Sequence, residues 1–371
     1  MQKNERDYFS QTYAEAREKF LAAAQRTGSS IQSYPHPALR GAQGEELAMD
    51  VALLGRADAL DMLILTSATH GVEGFCGSGC QIALLEDASL VKRIQAGSVS
   101  VLLVHAVNPF GFSWIRRTNE DNVDLNRNFL DHAFAPENTA YAEIHHLLLP
   151  EAWPPSPENK AEIAHYIEMH GSDKFQLAVS GGQYQFADGL FYGGTKPTWS
   201  NRTLRKILRE HGAGKNRIGW IDFHTGLGPC GHGEKIYAGL NNAGDIARAR
   251  AWWGDDMVST HDGSSVSARL QGVVRGAVYD ECPQVEYSGI GMEYGTAPLM
   301  ETLHSLRAEH WLQNHPEASI AQRNAIKQGL RNAFYVDTDD WKRLVLAQAR
   351  AVSLQALSAL GSNSGLRMHA S

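Results

Sequence analysis

The sequence predicts an α/β protein: a single three-layer α/β/α domain with a mixed, mostly parallel central sheet of about eight strands. Apolar, β-branched segments alternate along the chain with segments of helical periodicity. His70, His224 and Glu293 each lie at the end of such an apolar segment. Because ligands bind at the carboxyl ends of the strands in sheets of this type, we expect the functional site at that edge.

The predicted elements follow in chain order. An amphipathic helix begins the chain, since its apolar residues recur at helical spacing from Phe9 to Ala23 and the pattern ends near Gly28. Strands are predicted at 60–67, 98–107, 217–223, 234–240 and 285–293, with 234–240 expected as the neighbour of 217–223. Helices are predicted at 81–86, 298–314, 320–332 and 339–359.

Residues 1–371 are interpreted as one domain with an insertion at 150–210. The stretch 150–159 is rich in proline and polar residues and interrupts the alternation of strands and helices. The segment 181–200 is rich in glycine and aromatic residues, and it has two interpretations: a lid over the site, or a packed surface loop.

Composition narrows the possible partners and the location. The net charge of −7 leaves no basic stripe for nucleic-acid phosphates, so no nucleic-acid partner is expected. No apolar run approaches the length of about 18 residues that a membrane span requires. The segment Met1–Phe9 lacks the apolar core of a secretion signal, and the four cysteines are scattered. These features favour free thiols and a cytoplasmic location.

The first chemical motif is His70-Gly71-Val72-Glu73, which directly follows a predicted strand. Imidazole nitrogens and carboxylate oxygens are normal zinc ligands. The neighbouring glycines allow a tight turn in which both side chains face one ion. The alternative is structural, with Glu73 in the first turn of a helix and His70 in a capped loop.

The second motif is a histidine, His224, at the end of the predicted strand 217–223. A histidine in this position is often structural, but two histidines and one glutamate form a catalytic zinc set with a fourth position for water. His232 is the alternative third ligand. Asp222 lies two residues before His224, so it shares the same strand face and is a candidate partner for that ring.

The third motif is the polar segment 116–129, which is too polar for a core strand. Its guanidinium groups suit two tasks, pairing with a substrate carboxylate and stabilising an oxyanion. The alternative is a solvated loop with surface ion pairs.

Five features in this order and spacing resemble the zinc carboxypeptidase family: His70-x-x-Glu73, Asn108-Pro109-Phe110-Gly111, Val123-Asp124-Leu125-Asn126-Arg127-Asn128-Phe129, His224 and Glu293. The resemblance covers roughly 60–294, and the segment 123–129 is its most specific part. It implies the family's fold, one Zn²⁺ per chain, and hydrolysis of a peptide or amide bond next to a free carboxylate.

The resemblance also implies which residues form the metal centre. His70, Glu73 and His224 correspond to the zinc ligands. Glu293 corresponds to the catalytic glutamate that serves as general base near the metal. Asp124 corresponds to a residue that orients the ring of His70 and fixes its tautomer.

The substrate-binding residues follow from the same resemblance. Arg117 corresponds to the arginine that polarises the scissile carbonyl, and Arg116 is the alternative. Asn126 and Arg127 correspond to the pair that holds the terminal carboxylate. Tyr279 is the candidate for the family's mobile tyrosine.

The sequence leaves the substrate open between a small peptide and an N-acyl amino acid. Phe110 replaces the family's usual aspartate, and no specificity loop is recognisable. The motifs also resemble succinylglutamate desuccinylase and aspartoacylase, which cleave N-acyl amino acids. A non-catalytic metal-binding protein is the alternative of another class, and the presence of Glu293 and both arginine candidates argues against it.

Overall fold

The computed structural model describes residues 4–362, whose strands form one eight-stranded sheet. The strands are β1 (Ser30–Arg40), β2 (Glu46–Leu54), β3 (Asp61–Thr66), β4 (Val99–His105), β5 (Arg217–Cys230), β6 (Gly233–Tyr237), β7 (Val258–Ser259) and β8 (Glu286–Gly295). The helices are α1 (Tyr13–Arg26), α2 (Gly74–Glu86), α3 (Ala88–Ala96), α4 (Pro109–Ser113), α5 (Thr139–Leu148), α6 (Pro157–His170), α7 (Ser172–Ser180), α8 (Trp199–Gly212), α9 (Ala243–Trp253), α10 (Ala277–Glu281), α11 (Leu299–Asn314), α12 (Ile320–Phe334) and α13 (Asp339–Ser362).

The order of strands across the sheet is β1-β2-β4-β3-β5-β8-β6-β7. The four central strands β4, β3, β5 and β8 are parallel, whereas β1, β2 and β4 pair antiparallel and β6 is antiparallel to β8. The predicted mixed sheet is therefore confirmed. The expectation that 234–240 neighbours 217–223 is wrong, because β8 lies between β5 and β6.

The central strands are continuous apolar runs because helices cover both of their faces. Every residue of β3 and β4 is buried. Leu63 and Leu65 contribute to the core beneath α1, α2 and α13, while Met62 and Ile64 contribute to the opposite core beneath α8 and α10. This division by alternate residues confirms the predicted α/β/α layers.

The hairpin β1–β2 was not predicted from the sequence. β1 is an edge strand and nearly all of its residues are exposed or half-buried, so it lacks the apolar pattern of a core strand. It also contains Pro35 and Pro37, and its pairing with β2 is irregular between Pro35 and Arg40. Proline is tolerated in edge strands and at irregularities, because no ladder hydrogen bond is required there.

Among residues 4–362, the helix α13 is long and apolar enough to cross a membrane by length and composition alone. Its buried residues, among them Val345, Val352 and Leu360, contribute to the main core. Arg217 of β5 donates to the carbonyl of Leu360. Packing on the sheet therefore accounts for the apolar face of this helix.

Candidate active site

The His70–Glu73 motif forms a tight turn after β3, with a 3₁₀ helix at Gly71–Glu73. The N–H groups of Gly71 and Val72 donate to the carbonyls of Arg117 and Arg116, at 3.1 and 2.8 Å. A Cβ atom at Gly71 would lie 2.0 Å from the backbone carbon of Gly111. Only glycine permits this close approach, which folds the turn so that His70 and Glu73 face the same point.

The third predicted ligand and the predicted catalytic glutamate come from adjacent strands. His224 of β5 and Glu293 of β8 are direct partners in a parallel ladder. Paired residues on parallel strands project to the same side of the sheet. The sheet therefore places both side chains in one cavity, as their positions at strand ends predicted.

The structure brings His70, Glu73 and His224 together in a buried cluster. One ligand atom from each residue lies within 4.8 Å of the other two. The Nδ1 atoms of His70 and His224 lie 2.8 and 2.9 Å from the two oxygens of the Glu73 carboxylate. Two imidazole nitrogens and a carboxylate that converge in this way form a donor set suited to a zinc ion.

The outer nitrogen of each imidazole contacts a buried carboxylate. His224 Nε2 lies 2.7 Å from Asp222 Oδ2, and His70 Nε2 lies 3.2 Å from Asp124 Oδ1. Metal binding requires the tautomer with the proton on Nε2, which these carboxylates can accept as a hydrogen bond, and with the Nδ1 lone pair directed at the common point. The donor set therefore fits the metal, and Asp124 occupies the position that the resemblance implied.

The carboxylates of the cluster supply the negative charge that a bound cation requires. Burial alone would raise the pKa of Glu73, but the charge of His70 and a hydrogen bond with His224 lower this pKa to about 2. Burial opposes protonation of His224, but the Asp222 carboxylate raises the pKa of this imidazole to about 10. The pKa of Asp124 lies well below its ordinary value despite burial, because Arg117 and His70 contribute positive charge. These carboxylates are ionised at neutral pH.

Glu293 lies in the same cavity, and its Oε1 accepts a hydrogen bond of 3.1 Å from the N–H of Leu227. Burial and the negative charge of Glu73 raise the pKa of Glu293 to about 8. A carboxyl group with a pKa near neutrality can both accept and release a proton, as general acid–base catalysis requires.

Arg117 is the arginine that reaches the metal-binding cluster. Its Nε donates to Asp124 Oδ2 at 3.0 Å and its Nη1 donates to Glu73 Oε1 at 3.2 Å. Its Nη2 lies 2.8 Å from His70 Nε2. The guanidinium group of Arg117 lines the cavity, and its assigned role stays a prediction.

Asn126 and Arg127 also line the cavity. Arg127 is 2 % exposed, and two of its nitrogens donate to the carbonyls of Asn126 and Ser180. Its buried Nε atom has no hydrogen-bond partner among residues 4–362. The side-chain oxygen of Asn126 accepts a hydrogen bond of 3.0 Å from the N–H of Val274, so its NH₂ group remains available to a ligand.

Comparison with known sequences identifies the family. A family described as "Protein of unknown function (DUF2817)" matches residues 9–348, which is most of the chain. The chain belongs to the DUF2817 family. A comparison with curated proteins finds no significant match.

Solved structures with a TM-score above 0.5 share the fold of this DUF2817 chain. Thrombin activatable fibrinolysis inhibitor has a TM-score of 0.54 and 12% identity, with 95% of this chain and 74% of that chain covered. The bovine protein in complex with tick carboxypeptidase inhibitor has a TM-score of 0.52 and 10% identity, with 96% and 98% covered. Carboxypeptidase A from Helicoverpa armigera has a TM-score of 0.48 and 13% identity, with 98% and 78% covered. The carboxypeptidase-type fold implied by the sequence motifs is confirmed.

Two predicted substrate-binding residues of the DUF2817 chain lie away from the cavity. Tyr279 packs against Tyr287 at a ring distance of 5.1 Å, and its hydroxyl accepts a hydrogen bond from the N–H of Leu240. Arg116 turns to the opposite side of its loop and pairs with Glu309 at 3.1 Å. Neither residue lines the cavity, so the structure gives no direct substrate contact to either.

The cavity of the DUF2817 chain has a volume of about 300 Å³. Apolar side chains of α7 and α11, among them Val179 and Leu303, form much of its wall. The segment 181–200 contributes Phe191, which is buried and lies 5.0 Å from the guanidinium of Arg117. This segment therefore packs as part of the wall, and the segment 150–210 contributes to the site through α7.

Arg275 lines the cavity of the DUF2817 chain and was missed by the sequence analysis. The signal available was an arginine between Val274 and Gly276, a charge within an otherwise apolar stretch. Its position beside Asp222, at 3.5 Å, depends on contacts between distant segments, so local sequence does not reveal it.

Glu309 anchors the loop that carries Arg117. Its buried carboxylate pairs with Arg116 at 3.1 Å and with Lys327 at 2.7 Å. We expect Glu309→Gln to lower the free energy of unfolding by about 3 kcal/mol, because two partly or fully buried cations lose their counterion. Denaturant unfolding at neutral pH measures this change.

The exposed Glu301 on the same helix provides the control, since Glu301→Gln should change stability by less than about 0.5 kcal/mol. Burial favours the neutral acid, but Lys327 and Arg116 lower the pKa of Glu309 from 4.5 to about 2. The stabilisation is therefore complete above about pH 4.5 and is lost as the pH falls toward 2. Equal stability of the two variants would contradict an anchoring role for Glu309.

Proposed function

We propose that this chain is a zinc-dependent hydrolase that cleaves a peptide or amide bond next to a free carboxylate. The main support for this proposal is that ligand atoms of His70, Glu73 and His224 lie within 4.8 Å of one another, in a cavity that also contains Glu293. A metal-binding protein without turnover would not need a buried carboxyl group of raised pKa beside its ligands.

The metal would be held by His70, Glu73 and His224, while Asp124 and Asp222 keep the two rings oriented. A zinc ion bound in this way lowers the pKa of a bound water molecule and polarises a carbonyl group. The side chains around the ligands then have to move protons, stabilise charge and position the substrate.

Glu293 is the proposed general base. It takes a proton from the attacking water at its carboxylate and later donates that proton to the departing amine. Burial and Glu73 raise the pKa of Glu293 to about 8, and the charge of a bound zinc ion would lower it, which favours the carboxylate that accepts the proton.

Arg117 is the proposed donor to the oxygen that becomes negative during the reaction. Its guanidinium already donates to the carboxylates of Glu73 and Asp124 beside the proposed metal position. A preorganised charged donor at such a position contributes a few kcal/mol to transition-state stabilisation, by roughly the magnitude seen for oxyanion-hole groups.

Arg127 and Asn126 are the proposed binding site for the free carboxylate of the substrate. The Nε of Arg127 and the NH₂ group of Asn126, which have no acceptor among residues 4–362, supply the donors. Fixing the carboxylate there limits cleavage to the bond that reaches the metal-binding cluster.

A second candidate is an N-acyl amino acid amidohydrolase. The cavity of about 300 Å³ lies at the lower end of the range for small-molecule sites, so it favours a compact substrate. Arg127 and Asn126 could bind the free carboxylate of either substrate class.

Turnover by the metal-loaded protein tests the proposal. We expect about one zinc ion per chain and hydrolysis that a chelator abolishes and added Zn²⁺ restores. Short peptides, γ-glutamyl compounds and N-acyl amino acids should be assayed, each with a free and an amidated carboxylate. Cleavage of the free-carboxylate forms supports the proposal, and the preferred class separates the two candidates. Metal-independent turnover, or no turnover with any of these compounds, would contradict it.

The variant Arg127→Met tests the carboxylate site within the same assay. We expect kcat/KM for free-carboxylate substrates to fall by about 10- to 100-fold, because a charged hydrogen bond is lost. The amidated substrates should show no comparable loss. Equal losses for both forms would mean that Arg127 acts through the fold and not on the carboxylate.

A further inference from the structure

Arg275 places a third guanidinium group in the cavity, in addition to those of Arg117 and Arg127. The residue is 7 % exposed, and it lies within the 3₁₀ turn Val274–Gly276. A buried guanidinium in a cavity is costly to desolvate unless a carboxylate or another anion pairs with it.

Arg275 forms a long ion pair with one carboxylate, that of Asp222. Arg275 Nη1 lies 3.5 Å from Asp222 Oδ2, and within residues 4–362 the guanidinium donates no hydrogen bond. The Asp222 carboxylate is already engaged by Thr66, at 2.6 Å, and by His224, at 2.7 Å. The donors of Arg275 are therefore largely unused.

The ion pair between Arg217 and Asp61, which has a structural role, differs in geometry from that of Arg275. Arg217 donates to both oxygens of Asp61, at 2.9 and 2.7 Å, in a buried bidentate pair. One of its nitrogens also donates to the carbonyl of Leu360. Compared with Arg217, Arg275 has the donors to bind a further carboxylate.

The strand β8 leaves space for this guanidinium. A Cβ atom at Gly291 would lie 3.3 Å from Arg275 Nη1, so the absence of a side chain there admits the arginine. Gly291 precedes Glu293 by two residues and shares its face of the strand, about 7 Å away along β8. The Arg275 guanidinium therefore lies against β8 at Gly291, two residues before Glu293.

Arg275 is also linked to the proposed carboxylate site. The N–H of Val274 donates to the side-chain oxygen of Asn126, and the N–H of Phe129 donates to the carbonyl of Gly272, both at 3.0 Å. These bonds attach the segment that carries Arg275 to the segment that carries Arg127. A residue held by its free carboxylate at Asn126 and Arg127 would therefore lie in the same cavity as the Arg275 guanidinium.

We propose that Arg275 selects substrates in which the residue after the scissile bond has an acidic side chain. Such a residue, with a free α-carboxylate and a second carboxylate, would engage Arg127 and Arg275 together. This inference rests on the proposed hydrolase function, whose substrate class it specifies. Glutamate and glutamine have side chains of the same shape and differ in charge, so they are suitable probes.

Two measurements test the selection. The metal-loaded wild-type protein should hydrolyse N-acyl dipeptides that end in glutamate with a kcat/KM about 10- to 100-fold above that for glutamine. The metal-loaded Glu293→Gln variant, whose turnover should be strongly reduced, should bind N-acetylglutamate more tightly than N-acetylglutamine in calorimetry. In Arg275→Met, the ratio of the two kcat/KM values and the ratio of the two affinities should both approach one.

A second variant covers the possibility that Arg275→Met does not fold. Gly291→Ala keeps the charge but places a Cβ atom 3.3 Å from the guanidinium, so it should also reduce the glutamate preference. Arg248→Met is the matched control, because Arg248 pairs with Asp245 and Glu286 outside the cavity. The control should retain the wild-type preference.

The outcomes separate this inference from the function on which it rests. Hydrolysis without any glutamate preference in the wild type would overturn the role of Arg275 and leave the hydrolase proposal intact. Selective binding of N-acetylglutamate that depends on Arg275, without turnover of any substrate, would support the acidic subsite and overturn the hydrolase proposal. A preference that is unchanged in Gly291→Ala and in a folded Arg275→Met would overturn the assignment to Arg275.

Discussion

Glu293→Gln should reduce kcat by about 10²- to 10⁴-fold, the range expected when a general base is removed. The amide has nearly the same shape as the carboxyl group, so the cavity and its hydrogen bond with Leu227 can be retained. It cannot accept a proton from water near neutral pH. Steady-state kinetics with the best substrate from the screen measure the effect.

Metal content distinguishes loss of the base from loss of the centre. Glu293 is not among the three clustered ligands, so the variant should bind as much zinc as the wild type. Glu286→Gln is the control, because Glu286 lies at the exposed start of the same strand. If Glu293→Gln retained activity near that of the wild type, another group would have to be the base.

His224→Ala should abolish stoichiometric zinc binding, and with it all metal-dependent activity. The substitution removes one of three ligands and leaves only His70 and Glu73, which is too few for a stable protein site. Zinc content after gel filtration, measured by atomic absorption, should fall from about one ion per chain to nearly none.

His232 provides a direct control, since it was the alternative third ligand in the sequence. It is exposed in the turn between β5 and β6 and lies outside the ligand cluster. His232→Ala should therefore keep its zinc. A fully metallated His224→Ala protein, or loss of zinc from His232→Ala, would mean that the ion is held elsewhere.

Much of the central fold could be predicted, because buried parallel strands are continuous apolar segments and their ends are marked by polar residues. β3, β5 and β8 were found in this way, and so were the residues that end them. β2 was missed although it is mostly buried, whereas the edge strand β1 could not be found, because it contains two prolines and has few buried residues. Its stability comes from pairing with β2, which is not visible in its own sequence.

The site was predictable where a motif is local and less so where it depends on distant contacts. His70 and Glu73 are three residues apart, so one turn suffices to bring them together. The choice between Arg116 and Arg117 rested on the resemblance, since adjacent residues on a loop can project to opposite sides. Arg275 could not be assigned, because its cavity position depends on β8 and on the segment around Asn126.

The opposed directions of Arg116 and Arg117 have a consequence for protein engineering. Glu309 lies on α11, the helix that supplies Leu303 and Leu306 to the cavity wall, and it pairs with Arg116. A substitution that shifts α11 to admit a larger substrate would also pull on the backbone of Arg117. A change in the shape of the cavity wall is therefore expected to alter the reaction rate as well. Compensating substitutions on α12 near Lys327, which also pairs with Glu309, offer a way to separate the two effects.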